Sequence, residues 1–393
     1  MTGTCGFAPQ PPTICEKPVK PVSQQSFLFA LFIAALLVGA VAQIAGPPWL
    51  KNIFHLNGGP AQVACALGLA LGASVLIHEL GHLIPSLCFG FYVSRVALGP
   101  VCATRTHERW QLCYSPAWFS ASIAATPVDD RDWAARMLTV IAGGPIATLW
   151  IFLGAALLLD TVSLAEPVAC FFSALAQINL LLFVLGLVPN SKNASVRSDA
   201  RLFLTVLQNG EEAKQIKLYQ RVTRLQIAGV RPRAYPFELL SQLAVTTGNY
   251  DLMLFSALTI FLWSLDSGDI ATADAWDRYA NRLMEDRVLK LNDAVLAESA
   301  CFDVLHRQNT VAAAEKLRTI KTKALSPWLK HRSQAALEIV EGSYANALAE
   351  VSEARTSFPA PQPYFQFESA LLDLLQHRAT VSYSKPLAAS AAA

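Results

Sequence analysis

The chain has 393 residues, of which 53% are hydrophobic and 15% charged, with a mean hydropathy of +0.36. That composition belongs to integral membrane proteins and excludes an ordinary soluble globular protein. The net charge of +2 is small, and no basic patch interleaved with aromatics points to nucleic acid.

Residues 1–25 are rich in Pro, Thr and Ser and read as a flexible tail. The apolar run Phe27 to Ala45 follows Lys17 and Lys20. It exceeds the usual core of a secretory signal, which favours a retained transmembrane helix. A second span runs from about Gly59 to Pro85, and Pro85 should kink or end it, because proline cannot continue helical bonding. The stretch Arg105 to Arg136 is polar, and a third span follows from about Met137 to Leu159. A fourth runs from about Pro167 to Pro189. Each is long enough for a hydrocarbon layer of roughly 30 Å.

Loop charges predict the orientation. Lys17 and Lys20 flank the first span, Arg105, Arg109, Arg131 and Arg136 lie between the second and third, and Lys192, Arg197 and Arg201 follow the fourth. The opposite side has Lys51, Asp160 and Glu166 near the membrane. By the positive-inside tendency both termini are cytosolic.

Beyond about Arg201 the texture changes to charged and apolar positions alternating at helical spacing. Gly342-Ser343-Tyr344, with Ala347, Leu348, Ala354 and Pro359, resembles the second half of a tetratricopeptide hairpin. Gln308, Ala312 and Ala313 stand 34 residues earlier, which is that repeat's period. Leu252 to Leu265 is apolar but short for a span, so a buried helix is expected there. The Ala-rich end after Pro386 is expected to be disordered. The eight cysteines lack C-x-x-C spacing. Cys65, Cys88 and Cys170 read as small core residues rather than ligands.

The most informative segment is His78-Glu79-Leu80-Gly81-His82. From His55 to Arg95 these three side chains are the only ionisable acids, bases or imidazoles between the two ends. Such groups are costly in a membrane segment and mark function. On a helix the imidazoles of His78 and His82 share a face, so both can meet one zinc ion, with Glu79 beside them to activate water. A catalytic zinc site needs a third protein ligand. The motif lies about 28 Å along its helix from Gly59, near the exit face. The fourth span returns to that face, and Asp199 follows it. An ordinary helix N-cap would also use an Asp there. Glu108, Asp129, Asp130 and Asp132 lie on the same side as alternative acids; Glu108 sits in a polar turn and is the weaker candidate.

Three ordered pieces resemble the site-2 protease family of intramembrane zinc metalloproteases. They are His78 to His82, Ala142-Gly143-Gly144-Pro145-Ile146-Ala147, and Asn179 to Pro189 followed by Ser198-Asp199-Ala200-Arg201-Leu202. The resemblance covers about a third of the chain, from Leu71 to Leu204. It implies a metal held between the second and fourth spans by His78, His82 and Asp199, with Glu79 catalytic. Gly144 and Pro145 are candidates for substrate binding, as is Asn179. Two positions depart from the family: Gly186 replaces an Asn three residues before Pro189, and Ala200 replaces a Gly after Asp199. Asn179, Asn190 and Asn193 are alternatives for the lost amide.

The expected fold is an all-α membrane protein with four transmembrane helices, a site-2-protease-like core, and a soluble α-helical, tetratricopeptide-like C-terminal domain. The expected boundaries are 1–25 for the tail, 26–205 for the membrane domain, 206–380 for the helical domain and 381–393 for a disordered end. The expected activity is zinc-dependent hydrolysis of peptide bonds in or near transmembrane helices of membrane-protein substrates. The competing reading is an inactive protease-derived scaffold binding partners through its C-terminal domain. The expected setting is a multi-pass protein of a bacterial inner membrane, with a cytosolic C-terminal domain and no nucleic-acid partner.

Overall fold

The computed structural model describes residues 10–11, 53–54, 56, 58–106, 109–114, 121–189, 198–247, 249–285, 293–320, 325–358 and 363–391. The predicted first span, Phe27 to Ala45, lies outside them, as do Glu108, Asn190 and Asn193. The fold is mostly helical and divides into two units, Val19–Lys214 and Gln215–Ala393, the latter together with Met1–Pro18.

Three helices of the first unit are long and apolar enough to cross a membrane: α1 (Pro60–Cys88), α2 (Trp133–Thr161) and α3 (Glu166–Leu187). They make this a membrane protein by length and composition. Pro60 and Pro167 occupy the first turns of α1 and α3, where a missing N–H costs nothing. Pro85 sits inside α1, which continues only to Cys88. The helices touch through small residues; Ala66 and Ala70 of α1 pack on Cys170 and Ala174 of α3. In lipid, close backbone approach of this kind replaces the hydrophobic drive available in water.

Between α1 and α2 the chain forms a four-stranded antiparallel sheet, which the all-α expectation missed. Its strands are β1 (Phe91–Leu98), β2 (Val101–Thr106), β3 (Arg109–Tyr114) and β4 (Ala121–Pro127), in the order β3-β2-β1-β4. The cause is local. Gly99 adopts a φ of 56° in the two-residue turn Gly99-Pro100, which sets Leu98 opposite Val101. On β1 the alternate residues Phe91, Val93 and Ala97 are buried. The β1–β4 register shifts between Val93 and Arg95, where an extra residue bulges the strand. Cys102 is disulfide-bonded and stands opposite Cys113 in the ladder, whereas Cys65, Cys88 and Cys170 are free. Of these three only Cys170 is buried. Trp110, Leu112 and Tyr114 alternate along β3 and are exposed.

After α3, α4 (Asp199–Gln208) packs on α2 and α3, and α5 (Glu211–Ile227) follows it. Ser198 caps α4 by accepting the amide of Arg201 at 3.3 Å.

The second unit is a stack of helices: α6 (Phe237–Ala244), α7 (Tyr250–Asp266), α8 (Ile270–Glu285), α9 (Asp293–Phe302), α10 (Thr310–Thr319), α11 (Pro327–Val340), α12 (Tyr344–Thr356) and α13 (Pro363–Ala391). Left-handed residues turn the chain between consecutive helices: Gly268 (φ 79°), Gln308 (φ 55°) and Gly342 (φ 79°). The last two are the pair spaced 34 residues apart in the sequence. Leu252 to Leu265 lies within α7, where Ala257, Ile260 and Phe261 are buried in the core with Trp276, Phe302 and Leu372. Arg332 is buried between Glu298 and Glu368. The C-terminal end differs from expectation: α13 continues to Ala391. Alanine has the highest helix propensity, which favours extending the helix there.

Candidate metal centre

His78 and His82 project from one face of α1, one turn apart, and their Nε2 atoms approach to 3.2 Å. Asp199 Oδ2 lies 3.3 Å from His78 Nε2, and its other oxygen, Oδ1, lies 3.5 Å from His82 Nε2. All three side chains are half-buried. Ser198 takes the capping position, so Asp199 is the first residue of α4 and its carboxylate faces the histidines instead.

The three distances decide whether a metal fits. Zinc bonded tetrahedrally to nitrogen and oxygen at about 2.0–2.1 Å sets its ligand atoms about 3.3 Å apart. The two nitrogens, 3.2 Å apart, and Oδ2 of Asp199, 3.3 Å from His78 Nε2, keep that spacing, while the nearer oxygen to His82 Nε2 is Oδ1 at 3.5 Å, so both carboxylate oxygens border the site. Among the described residues this is the group of His, Cys, Asp or Glu side chains close enough to hold a metal ion. The outer hydrogen bonding agrees. His82 Nδ1 lies 2.8 Å from the Val140 carbonyl, which can only accept, so the proton sits on Nδ1. Nε2 is then the nitrogen left to ligate a metal at the site.

Glycine makes the centre possible. Cβ atoms on Gly81 or Gly143 would collide with the other's backbone, so α1 and α2 meet there in direct contact. A Cβ on Gly144 would strike the His82 ring and come within 2.9 Å of His78 Cε1. Gly144 therefore lies against the imidazoles. Pro145 is buried and stands 3.4 Å from a Cβ built on Gly186. That same Cβ would be 3.7 Å from Asp199 Oδ2, so a side chain at 186 would border the centre.

Glu79 is half-buried and interacts electrostatically with His82, His78 and Asp199. Asn179 is elsewhere. It is fully buried between α3 and α1, donating to Ser74 Oγ and to the Leu175 carbonyl, each at 2.8 Å. The centre thus gathers His78, His82, Asp199, Glu79 and Gly144, while Asn179 makes no hydrogen bond to these residues and has only its amide N–H groups engaged. Asp129 pairs with Arg136, away from the centre. Sequence reasoning missed three contributors: the Val140 carbonyl, the Ser198 cap and Gly81. The Ser-Asp pair opening α4 was a readable cap signal; a backbone carbonyl carries none.

Comparisons with protein-family models, with curated proteins and with solved structures gave no match.

Proposed function

We propose that this protein is an intramembrane zinc metalloprotease of the site-2 protease kind, hydrolysing peptide bonds in or near the transmembrane helices of membrane proteins. One observation carries the reading: the Nε2 atoms of His78 and His82, on a helix apolar enough to cross a membrane, converge with the Asp199 carboxylate at 3.2–3.5 Å, distances that one zinc ion can bridge. Zinc bound there supplies Lewis acidity and brings the pKa of a bound water toward neutrality.

The chain's residues supply the rest. Glu79, beside the ligands, takes the proton of the attacking water and returns it to the departing amide nitrogen. His78, His82 and Asp199 fix the site, and the Val140 carbonyl holds His82 in the ligating tautomer. A helical substrate has its peptide groups locked in internal hydrogen bonds, so it must unwind before its carbonyl can reach the centre. In this reading α1, α2 and α3 form the catalytic core, and Phe27 to Ala45 is a fourth crossing. The helical hairpins of the second unit offer an extended surface for a protein partner, as stacked hairpins do elsewhere.

The test is reconstitution of the purified full-length chain in vesicles with candidate membrane proteins. The reading predicts about one zinc per chain, with cleavage that stops on chelation and returns with zinc. A folded chain without zinc, or cleavage indifferent to chelation, would contradict it. Zinc without cleavage would favour the scaffold reading, to which Gly186 and Ala200 lend weight.

A further inference from the structure

The two histidines of the centre are not supported alike. His82 gives its Nδ1 proton to the Val140 carbonyl. His78 also turns Nε2 toward Asp199, so its Nδ1 faces the protein interior, where it is buried and without a hydrogen-bond partner. An imidazole that ligates through Nε2 carries its proton on Nδ1, and a buried N–H needs an acceptor.

One acceptor is orphaned on the facing helix. Asn179 uses its amide N–H groups on Ser74 Oγ and the Leu175 carbonyl, and its Oδ1 is buried without a partner. Among the described residues of this unit, the other unpartnered buried side-chain atoms are donors: Gln62 Nε2 and the Nε atoms of Arg105, Arg136 and Arg201. Asn179 Oδ1 is the unpartnered acceptor. Its tether, Ser74, lies one turn before His78 on α1, and helical side chains lean toward the N-terminus. The His78 ring therefore leans toward the turn to which Asn179 is tied.

We propose that Asn179 is a positioning residue of the metal centre, its Oδ1 accepting the Nδ1 proton of His78 when the site is loaded. It would do for His78 what the Val140 carbonyl does for His82. The two atoms are not hydrogen-bonded in the structure, so loading the site would have to bring them together. This role differs from the substrate contact expected of Asn179, whose complete burial keeps it from a substrate. The inference rests on the zinc reading. Outer-shell acceptors orient ligating histidines and raise their basicity, so their loss typically weakens metal binding about 10–100-fold.

The experiment compares full-length wild type, Asn179→Leu and Asn179→Asp in detergent. It measures zinc affinity by competition with a chromophoric chelator, and the pH at which half the zinc is released. Asn179→Leu should bind zinc about 10–100-fold more weakly and release it at higher pH. Asn179→Asp keeps an acceptor but loses the donations to Ser74 Oγ and the Leu175 carbonyl, and should bind zinc more tightly than Asn179→Leu. Wild-type affinity in Asn179→Leu, or equal weakening of both variants, would overturn the proposal, since packing alone would treat both alike. Absence of zinc from the wild type would instead overturn the metal reading itself. If Asn179→Leu does not fold, Asn179→Ala makes the same comparison without added bulk.

Discussion

His82 donates its Nδ1 proton to the Val140 carbonyl at 2.8 Å and turns its Nε2 to His78 and Asp199. With Nδ1 donating there, Nε2 is the nitrogen available to a metal.

Asp199 supplies the oxygen of the set. Asp199→Ala should weaken zinc binding by more than about 100-fold, beyond the range typical of outer-shell changes. Glu79→Gln should leave affinity within a few-fold of wild type. Chelator competition on the purified variants checks both, and a tightly bound zinc in Asp199→Ala would refute the ligand assignment.

The glycines divide by contact. Gly81→Ala, Gly143→Ala and Gly144→Ala each force a Cβ into backbone or imidazole, and overpacking of this kind costs about 1–3 kcal/mol. Gly72→Ala and Gly154→Ala meet nothing within 4 Å and should be neutral or slightly stabilising. Thermal unfolding in detergent separates the groups. Gly144→Ala should also displace the histidines and lose zinc.

Arg201, two residues past Asp199, bonds to Glu212 at 2.5 Å, and Glu212 also receives Thr205 Oγ1 at 3.5 Å. Both charged groups are mostly shielded from solvent. Glu212→Gln should therefore destabilise α4 by about 1–2 kcal/mol, as loss of a charge-assisted hydrogen bond does. Faster extraction of zinc by chelator would report it; an unchanged rate would show that α4 is held by packing alone.

In the second unit, Arg332 is enclosed by Glu298 and Glu368. Burial pushes the Glu368 carboxyl up to about 7, against the pull of Arg332. Its folded pKa thus exceeds its unfolded one, so the protonated form is favoured by folding. The stability linked to this group is fully present below about pH 4.3, and is lost as the pH rises through about 7. Glu368→Gln should flatten that dependence. Arg332→Met leaves two buried carboxylates facing each other and should cost about 3–5 kcal/mol. Hydrogen exchange of peptides from α11 and α13, followed in the full-length protein, reads both effects.

Much of the helical layout was legible because its signals are local. The apolar runs of α1, α2 and α3 exceed what a buried soluble helix needs, and Leu252 to Leu265 falls short of a span. The i, i+4 pair His78 and His82 shares a face by helical geometry alone. The sheet was missed because polar Arg95, Arg105 and Arg109 outweighed weaker signs: Gly99-Pro100, and the alternation of Phe91, Val93 and Ala97. Short strands beside apolar helices give little periodic signal, and the β1 bulge breaks what there is. The outer contacts were illegible for a different reason. Val140 contributes a backbone oxygen, and the pairing of Asn179 with Ser74 joins residues 105 positions apart. No spacing rule encodes either.

The most direct test of protease activity compares the ends of membrane-protein fragments in cells expressing wild type or Glu79→Gln, by terminal-peptide mass spectrometry. Fragments ending inside transmembrane segments should be present with wild type and absent with the variant, with both proteins equally folded and zinc-loaded. The same fragment ends in both would contradict the account, because Glu79 would then carry no proton in the reaction.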